Sequence, residues 1–310
     1  MSGYKYLFGP VPSRRLGASL GVSPIPERTC NYSCVYCQLG RTLRMTNTRQ
    51  EFFPLEEILA EFQEYLRGSI PFDVVTVVGE GEPTLYSRLG ELIAGLKKET
   101  DKPVAVITNG ALLYDAEMRR ELMEADIVLP SLDAVTEEQY RKIDRPMGSI
   151  GFAEMAEGLR QFAREYQGQL WIEIMLVDGM NDSPEDIAAF KEFLGTIDYD
   201  RVYLNTPVRP PAEGFVHTSA SERIDLAARE LGGISIDQLT SGSFFSEVED
   251  PYEAILSIAR RHPMNQFEVE SFLEAREIPA DQRQALMERL GQDPGITVVP
   301  YKGIITYRVN

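Results

Sequence analysis

Short apolar runs alternate with longer amphipathic stretches between residues 20 and 206. The runs are rich in Val, Ile and Leu, as is typical of strands buried on both faces of a sheet. Six of them predict β-strands: Leu20–Ile25, Val74–Gly79, Val104–Thr108, Ile127–Leu132, Leu170–Val177 and Arg201–Thr206.

The stretches between these runs have the 3.6-residue apolar period of amphipathic helices. The predicted helices are Leu55–Leu66, Ser87–Lys98, Asp115–Glu124, Thr136–Ile143, Phe152–Tyr166 and Pro184–Leu194. Asp115, Thr136 and Ser183 are suitable capping or first-turn residues. Strands that alternate with helices predict an α/β fold with a parallel sheet, in which functional groups cluster at the carboxyl ends of the strands.

The pattern changes after Gly232, and the segment TSGSFFSEVEDP is interpreted as a connection. Three helices are predicted beyond it, near Pro251–Arg261, Gln266–Ala275 and Ala280–Leu290, followed by a hairpin within ITVVPYKGIITYRV. We therefore predict two domains, residues 1–245 and 250–310, the second similar to a winged helix. Such a domain can bind nucleic acid, bind a peptide by strand addition, or serve only packing or dimerisation.

Composition and charge narrow the class of protein. The chain has 310 residues, of which 43% are hydrophobic and 25% charged, as in ordinary globular proteins. No long apolar run predicts a membrane span or a signal peptide, so a cytoplasmic location is expected. The net charge is −17, yet residues 1–50 carry seven Lys or Arg and one Glu. This basic stretch is either ordinary surface or a docking site for an acidic electron donor such as a flavodoxin or ferredoxin.

All three cysteines lie within one short segment, Cys30-Asn31-Tyr32-Ser33-Cys34-Val35-Tyr36-Cys37. A loop with these spacings can give thiolates to three irons of a [4Fe–4S] cluster and leave the fourth iron open for chemistry. A structural zinc site normally has four ligands, and the two histidines, His217 and His262, are distant in sequence. Three cysteines in a long chain also fit a disulfide framework poorly.

This spacing, with the aromatic Tyr36 before the last cysteine, resembles the radical S-adenosylmethionine (SAM) superfamily. The resemblance implies that Cys30, Cys34 and Cys37 are the metal ligands, that the cofactors are a [4Fe–4S] cluster and SAM, and that Tyr36 is a cofactor-binding residue. It also implies that the six βα units form a partial (β/α)6 TIM-like barrel. An open cluster also indicates a reducing, oxygen-poor (anaerobic) setting.

The resemblance extends to a turn after the second strand, Gly79-Glu80-Gly81-Glu82-Pro83. A Gly-Gly-Glu-Pro element of the superfamily holds the ammonium of SAM here, which implies that Gly81, Glu82 and Pro83 bind SAM. Glu80 replaces the first glycine of that element, and either Glu80 or Glu82 can meet the ammonium.

Polar residues end the later strands. Asn109 has two alternative roles, contact with SAM or substrate, or a local role in its turn. Ser131 and Asp133 share a strand face and resemble the residues that hold SAM in the superfamily. Asp133 alternatively caps the following helix. Glu173, Met175, Asn205 and Arg209 are further candidates for the barrel interior or for substrate contact.

The segment VPSRRLGASLGVSPIPERTCNYSCVYCQLGRT is most similar to the Fe–S oxidoreductases grouped with tRNA wyosine-base synthases, and the fifth strand also resembles glycyl-radical activating enzymes. The wyosine synthases use additional cysteines for a second cluster, which this chain lacks. The predicted function is an enzyme in which the reduced cluster cleaves SAM to a 5′-deoxyadenosyl radical that abstracts a hydrogen atom. Its substrate is a tRNA, a protein or peptide, or a small molecule.

The alternative function is a DNA-binding sensor of redox state or iron that uses the winged-helix-like domain. The stretch equivalent to a recognition helix, Ala280–Arg289, has two Arg against one Asp and one Glu, which is too neutral for a strong phosphate-binding helix. The long βα pattern favours the enzyme, because a sensor needs only the loop and the wing.

Overall fold

The computed structural model describes residues 4–68, 70–236, 244–246 and 248–310. Part of the predicted connection TSGSFFSEVEDP lies outside these described residues. No helix in the described ranges is long and apolar enough to cross a membrane.

Ten strands precede the carboxyl-terminal region. They are β1 (Leu7–Ser13), β2 (Gly17–Val22), β3 (Thr29–Cys30), β4 (Arg44–Met45), β5 (Val74–Val77), β6 (Val104–Thr108), β7 (Ile127–Pro130), β8 (Gln169–Met175), β9 (Arg201–Asn205) and β10 (Ile234–Ser235). Eight of them form one curled sheet in the order β1-β2-β5-β6-β7-β8-β9-β10. All neighbours are parallel except β1 and β2.

The six predicted strands correspond to β2, β5, β6, β7, β8 and β9, so the partial (β/α)6 barrel is confirmed. The edge strands β1 and β10 were not predicted. The second and fourth strands end earlier than predicted, at Val77 and Pro130, because the chain turns there into the segments that form the site.

Helices pack against the outer face of this sheet. They are α1 (Leu55–Tyr65), α2 (Leu89–Glu99), α3 (Ala116–Leu122), α4 (Glu137–Ile143), α5 (Phe152–Glu165), α6 (Pro184–Leu194) and α7 (Ser221–Leu231). Asp115, Thr136 and Ser183 cap α3, α4 and α6 as predicted, each accepting a backbone N–H with its side chain. One continuous apolar core joins these helices to the strands.

The carboxyl-terminal region has the predicted helices α8 (Pro251–Ala259), α9 (Gln266–Ala275) and α10 (Ala280–Gln292), with β11 (Met264–Asn265), β12 (Ile296–Tyr301) and β13 (Ile304–Val309). The strands form an antiparallel sheet in the order β11-β13-β12. A second apolar core lies inside this region, and Val11 of β1 packs against it. The winged-helix-like class and the domain boundaries stay predictions.

Candidate active site at the cysteine loop

The cysteine loop is fixed to the end of α4 by backbone hydrogen bonds. The N–H of Ser33 donates to the carbonyl of Asp144 at 3.1 Å, and that of Val35 to Ile143 at 2.9 Å. Within the loop, the N–H of Cys37 donates to the carbonyl of Cys34 at 3.2 Å. These bonds hold the three cysteines in one place at the carboxyl ends of the strands.

The three thiols line one cavity of about 430 Å³. Burial is the main cause that raises the pKa of each thiol. The sulfur of Cys30 lies 3.4 Å from the N–H of Tyr32 and 3.6 Å from Nδ2 of Asn109. Donors of this kind stabilise the sulfur ligands of iron–sulfur clusters.

The described residues contain no group of three Cys, His, Asp or Glu side chains close enough to hold a single metal ion. A cluster differs from a single ion, because each thiolate ligates a different iron and the sulfurs stand further apart. The three thiols on one cavity wall, with N–H donors at Cys30, therefore fit a [4Fe–4S] cluster better than a mononuclear zinc site.

Gly81 joins the cysteine strand to the turn after β5. The N–H of Glu82 donates to the carbonyl of Thr29 at 3.1 Å, and Gly81 forms a β-bridge with Thr29. A Cβ at Gly81 would lie 1.8 Å from that carbonyl oxygen, so only glycine fits. Pro83 begins a buried 3₁₀ turn, Pro83–Leu85. The turn predicted to hold SAM is thus built directly onto the cysteine loop.

The carboxylate of Glu82 is buried behind the cavity and accepts four hydrogen bonds. Oε1 accepts from the N–H and hydroxyl of Thr84 and from the hydroxyl of Thr108, and Oε2 accepts from the N–H of Asn109. These bonds connect the turn after β5 to the end of β6. In this structure the Glu82 carboxylate supports the site from behind, and the cavity wall itself contains Glu80 and Gly81.

Glu80 faces a residue from the carboxyl-terminal region. Its Oε2 lies 3.5 Å from Nε of Arg261, and both side chains are nearly buried. Burial raises the pKa of the Glu80 carboxyl, and burial also lowers the pKa of Arg261. The glutamate that replaces the first glycine of the superfamily element therefore has an ion-pair partner of its own.

Asp133 and Tyr36 are brought together by the fold. The Tyr36 hydroxyl donates to Oδ2 of Asp133, and the N–H of Met175 donates to Oδ1 at 2.7 Å. Burial raises the pKa of Asp133 to about 6. Ser131 lies beyond β7, where it forms a bridge with Glu173, so its predicted strand position is lost. The SAM-binding role of Ser131 and Asp133 stays a prediction.

Asn109 bridges two parts of the site. Its Nδ2 donates to Oδ1 of Asn31 at 2.7 Å, and its Oδ1 accepts from the N–H of Ala111 at 2.9 Å. Its amide therefore serves both the local turn and the cysteine loop. The local-turn role proposed from the sequence is present, and contact of Asn109 with SAM or substrate stays a prediction.

The opposite wall is formed by Glu173, Met175 and Asn205, as predicted, together with residues that the sequence did not indicate. Glu173 forms an ion pair with Arg15, and Nδ2 of Asn205 donates to Oε1 of Glu173 at 3.3 Å. Desolvation lowers the pKa of Arg15 to about 10.

Arg209 connects this wall to the carboxyl-terminal region. It donates to both carboxylate oxygens of Glu268, at 3.0 and 2.9 Å, and to Nε2 of His262 at 2.6 Å. His262, Glu268 and Arg261 were missed from the sequence, because no local pattern shows that they fold back over the barrel.

Comparison with known proteins agrees with this geometry. A family model described as the radical SAM superfamily matches residues 25–191. A UPF0026 protein of Methanocaldococcus jannaschii is 33% identical over 311 aligned positions, covering 98% of this chain and 95% of that protein. A protein named GTPase Obg from Brachyspira hyodysenteriae is 43% identical over 205 residues, covering 66% of this chain and only 30% of that protein.

Among solved structures, a radical SAM methyltransferase from Sphaerobacter thermophilus has the same fold. Its TM-score is 0.52 at 18% identity, and the match covers 71% of this chain and 67% of that one. The family match spans more than half of the chain and contains the cysteine loop and strands β4 to β8. The protein is therefore a member of the radical SAM superfamily, an enzyme whose cofactors are a [4Fe–4S] cluster and SAM.

Proposed function

We propose that Cys30, Cys34 and Cys37 hold the cluster and that SAM lies against Gly81 and the adjoining turn, with the substrate entering the same cavity. The observation that carries this proposal is that all three thiols, Gly81 and the inner face of β8 and β9 line one cavity of about 430 Å³. A cavity of this size lies within the range of small-molecule and cofactor sites.

When bound, the cluster and SAM supply a radical that removes a hydrogen atom from the substrate. The residues of this chain position the bound groups and shield them from solvent. The loop is fixed to α4, the turn at Gly81 is fixed to β3, and Arg261, His262 and Glu268 of the carboxyl-terminal region also line the cavity. Such a lining excludes water from reactive species.

The charges of the cavity favour an anionic substrate. Among the described residues that line it are five arginines and three glutamates, and each of these glutamates is paired with an arginine. Of the macromolecules considered, RNA carries a negative charge at every nucleotide, so a structured RNA such as tRNA is the substrate class that we propose.

The DNA-binding alternative receives no comparable support. In α10, Arg283 pairs with Glu270 at 2.9 Å, and the guanidinium of Arg289 lies 3.6 Å from the centre of the Tyr252 ring. Both arginines of the stretch equivalent to a recognition helix are thus used within their own region.

Anaerobic reconstitution with iron and sulfide tests the function. Wild-type protein given dithionite and SAM should form 5′-deoxyadenosine, measured by chromatography, and Cys34→Ala should form none. No product from a wild-type protein whose cluster is confirmed by spectroscopy would refute the proposal. Adding unfractionated tRNA should increase product formation above the rate without substrate, and an equal response to an unrelated polyanion such as heparin would refute RNA as the substrate.

A further inference from the structure

Two arginines from distant parts of the chain meet beside the cysteine loop. Arg28 precedes β3, and Arg308 lies on β13 of the carboxyl-terminal hairpin. A Cβ built on Gly40 would lie 3.7 Å from Nη1 of both guanidinium groups. The N–H of Gly40 donates to the carbonyl of Cys37 at 3.1 Å, so this meeting point adjoins the last cysteine.

Among the described residues, one partly exposed acid pairs with the two positive charges of these arginines. Nη1 of Arg308 is buried and has no hydrogen-bond partner, and none of the ion pairs found in the described ranges involves Arg308. Arg28 pairs through Nε with Glu27, whose side chain is 47% exposed. Two guanidinium groups brought together without an acid between them destabilise the fold unless a negative charge is nearby.

The backbone holds Arg28 in this position. Its φ is +48°, a conformation uncommon for residues other than glycine, and its N–H donates to the carbonyl of Glu80. Its carbonyl accepts from the N–H groups of Leu43 and Arg44 at 3.0 and 3.1 Å. A strained residue fixed by three hydrogen bonds indicates a position with a function.

Cys37 is the cysteine that adjoins this pair of arginines. Gly40 lies beside both guanidinium groups and donates its N–H to the carbonyl of Cys37, so both arginine side chains stand near the last cysteine. Once three thiolates ligate a cluster, negative charge is permanent at this corner of the loop, and it increases when the cluster accepts an electron.

We propose that Arg28 and Arg308 are positioning residues that stabilise the reduced cluster at its Cys37 corner and thereby raise its reduction potential. The inference rests on the proposed assignment of Cys37 as a ligand. The step that the pair favours is the transfer of one electron from an external one-electron donor to the cluster, with no bond made or broken. Because Arg308 belongs to the carboxyl-terminal hairpin, packing of that region against the loop sets part of the potential.

The test is a redox titration of the reconstituted protein with dithionite, in which electron paramagnetic resonance measures the reduced cluster at each potential. Arg308→Gln and Arg28→Gln should each shift the midpoint to more negative potential, and the double variant should shift it further. Arg308→Lys keeps the charge and should stay near the wild type. Arg44→Gln removes an exposed arginine from β4 and serves as the matched control, with little expected shift.

A midpoint potential of Arg308→Gln equal to that of the wild type, at equal iron and sulfide content, would overturn the inference. So would phosphate binding to the reconstituted protein that is lost in Arg308→Gln without a change in potential, since the pair would then serve an external anion. These outcomes are distinct from failure of the proposed function, which would appear as absence of a cluster or of SAM cleavage in the wild type.

Discussion

His262 is a buried histidine surrounded by cations. Burial and the charges of Arg209, Arg15 and Arg14 hold its pKa well below the usual value of 6.5. Its other neighbour is the ring of Phe244, 5.3 Å away between centroids. Because Nε2 accepts a hydrogen bond from Arg209, the ring must stay neutral for this contact to persist. His262 therefore links the stability of the protein to pH.

We predict that this contribution to the free energy of unfolding is full above about pH 6.5 and is lost as pH falls below it. The unfolded chain binds a proton at His262 that the folded chain does not, so each pH unit costs about 1.4 kcal/mol until the folded pKa is reached. Urea denaturation of the cluster-free protein at pH 7.5 and 5.5 measures the loss.

His262→Gln retains a hydrogen-bond acceptor for Arg209 but does not titrate. Its stability should depend less on pH than that of the wild type. His217→Gln, at an exposed position, is the matched control and should retain the wild-type pH dependence. Identical pH profiles for His262→Gln and the wild type would contradict the prediction.

At the scale of elements, the close contact between β3 and the turn after β5 determines whether the loop and the turn share one cavity. Gly81→Ala would place a methyl group against the carbonyl of Thr29 and within 2.9 Å of Ile25. Overpacking of this kind destabilises a protein by about 1–3 kcal/mol and shifts the backbone.

We therefore expect Gly81→Ala to lower the urea midpoint and to reduce the iron bound per chain after reconstitution. Gly148→Ala is the matched control, because a Cβ there would have no atom within 4 Å. Wild-type iron content and urea midpoint in Gly81→Ala would contradict this prediction, because the turn could then move away from the loop without loss of stability or of the cluster.

The elements of the barrel were predictable because each carries its own signal. The apolar runs of β5 and β7 are buried along their whole length, and Asp115, Thr136 and Ser183 cap helices through contacts only a few residues apart. The edge strand β10 has two residues and no such signal.

The candidate site was predictable only where its residues adjoin a motif. The cysteines and Gly81 belong to recognisable segments, whereas Arg15, Arg261 and His262 reach the cavity through tertiary packing between distant parts of the chain. Pairings such as that of Glu80 with Arg261 have no local signature. A local sequence pattern indicates where a strand ends, but it does not indicate which distant residues pack against that end.

At the scale of the whole molecule, charge is distributed unevenly. The net charge is −17, but the first fifty residues, which contain the cysteine loop, carry seven basic residues and one acidic residue. An acidic electron donor is repelled by the molecule as a whole and attracted by this region. The sign of the salt dependence of electron transfer shows which of the two effects dominates.

We predict that local attraction dominates. The rate at which a purified flavodoxin reduces the cluster, measured by stopped-flow absorbance, should fall as ionic strength rises. Arg44→Glu, at an exposed position near the loop, should lower the rate of cluster reduction at low salt. Arg229→Glu in α7 is the control and should lower this rate less. A rate that increases with salt would show that the donor responds to the net charge instead.

The cavity is built from segments that are far apart in the chain, and this affects how the protein is made. The cysteine loop leaves the ribosome early, whereas Arg261, His262, Glu268 and Arg308, which form or adjoin its walls, follow more than two hundred residues later. At ordinary rates of translation this delay lasts on the order of tens of seconds. During that interval the thiols of the nascent chain lie uncovered, and iron and sulfide delivered then would reach them without any need for the finished molecule to open.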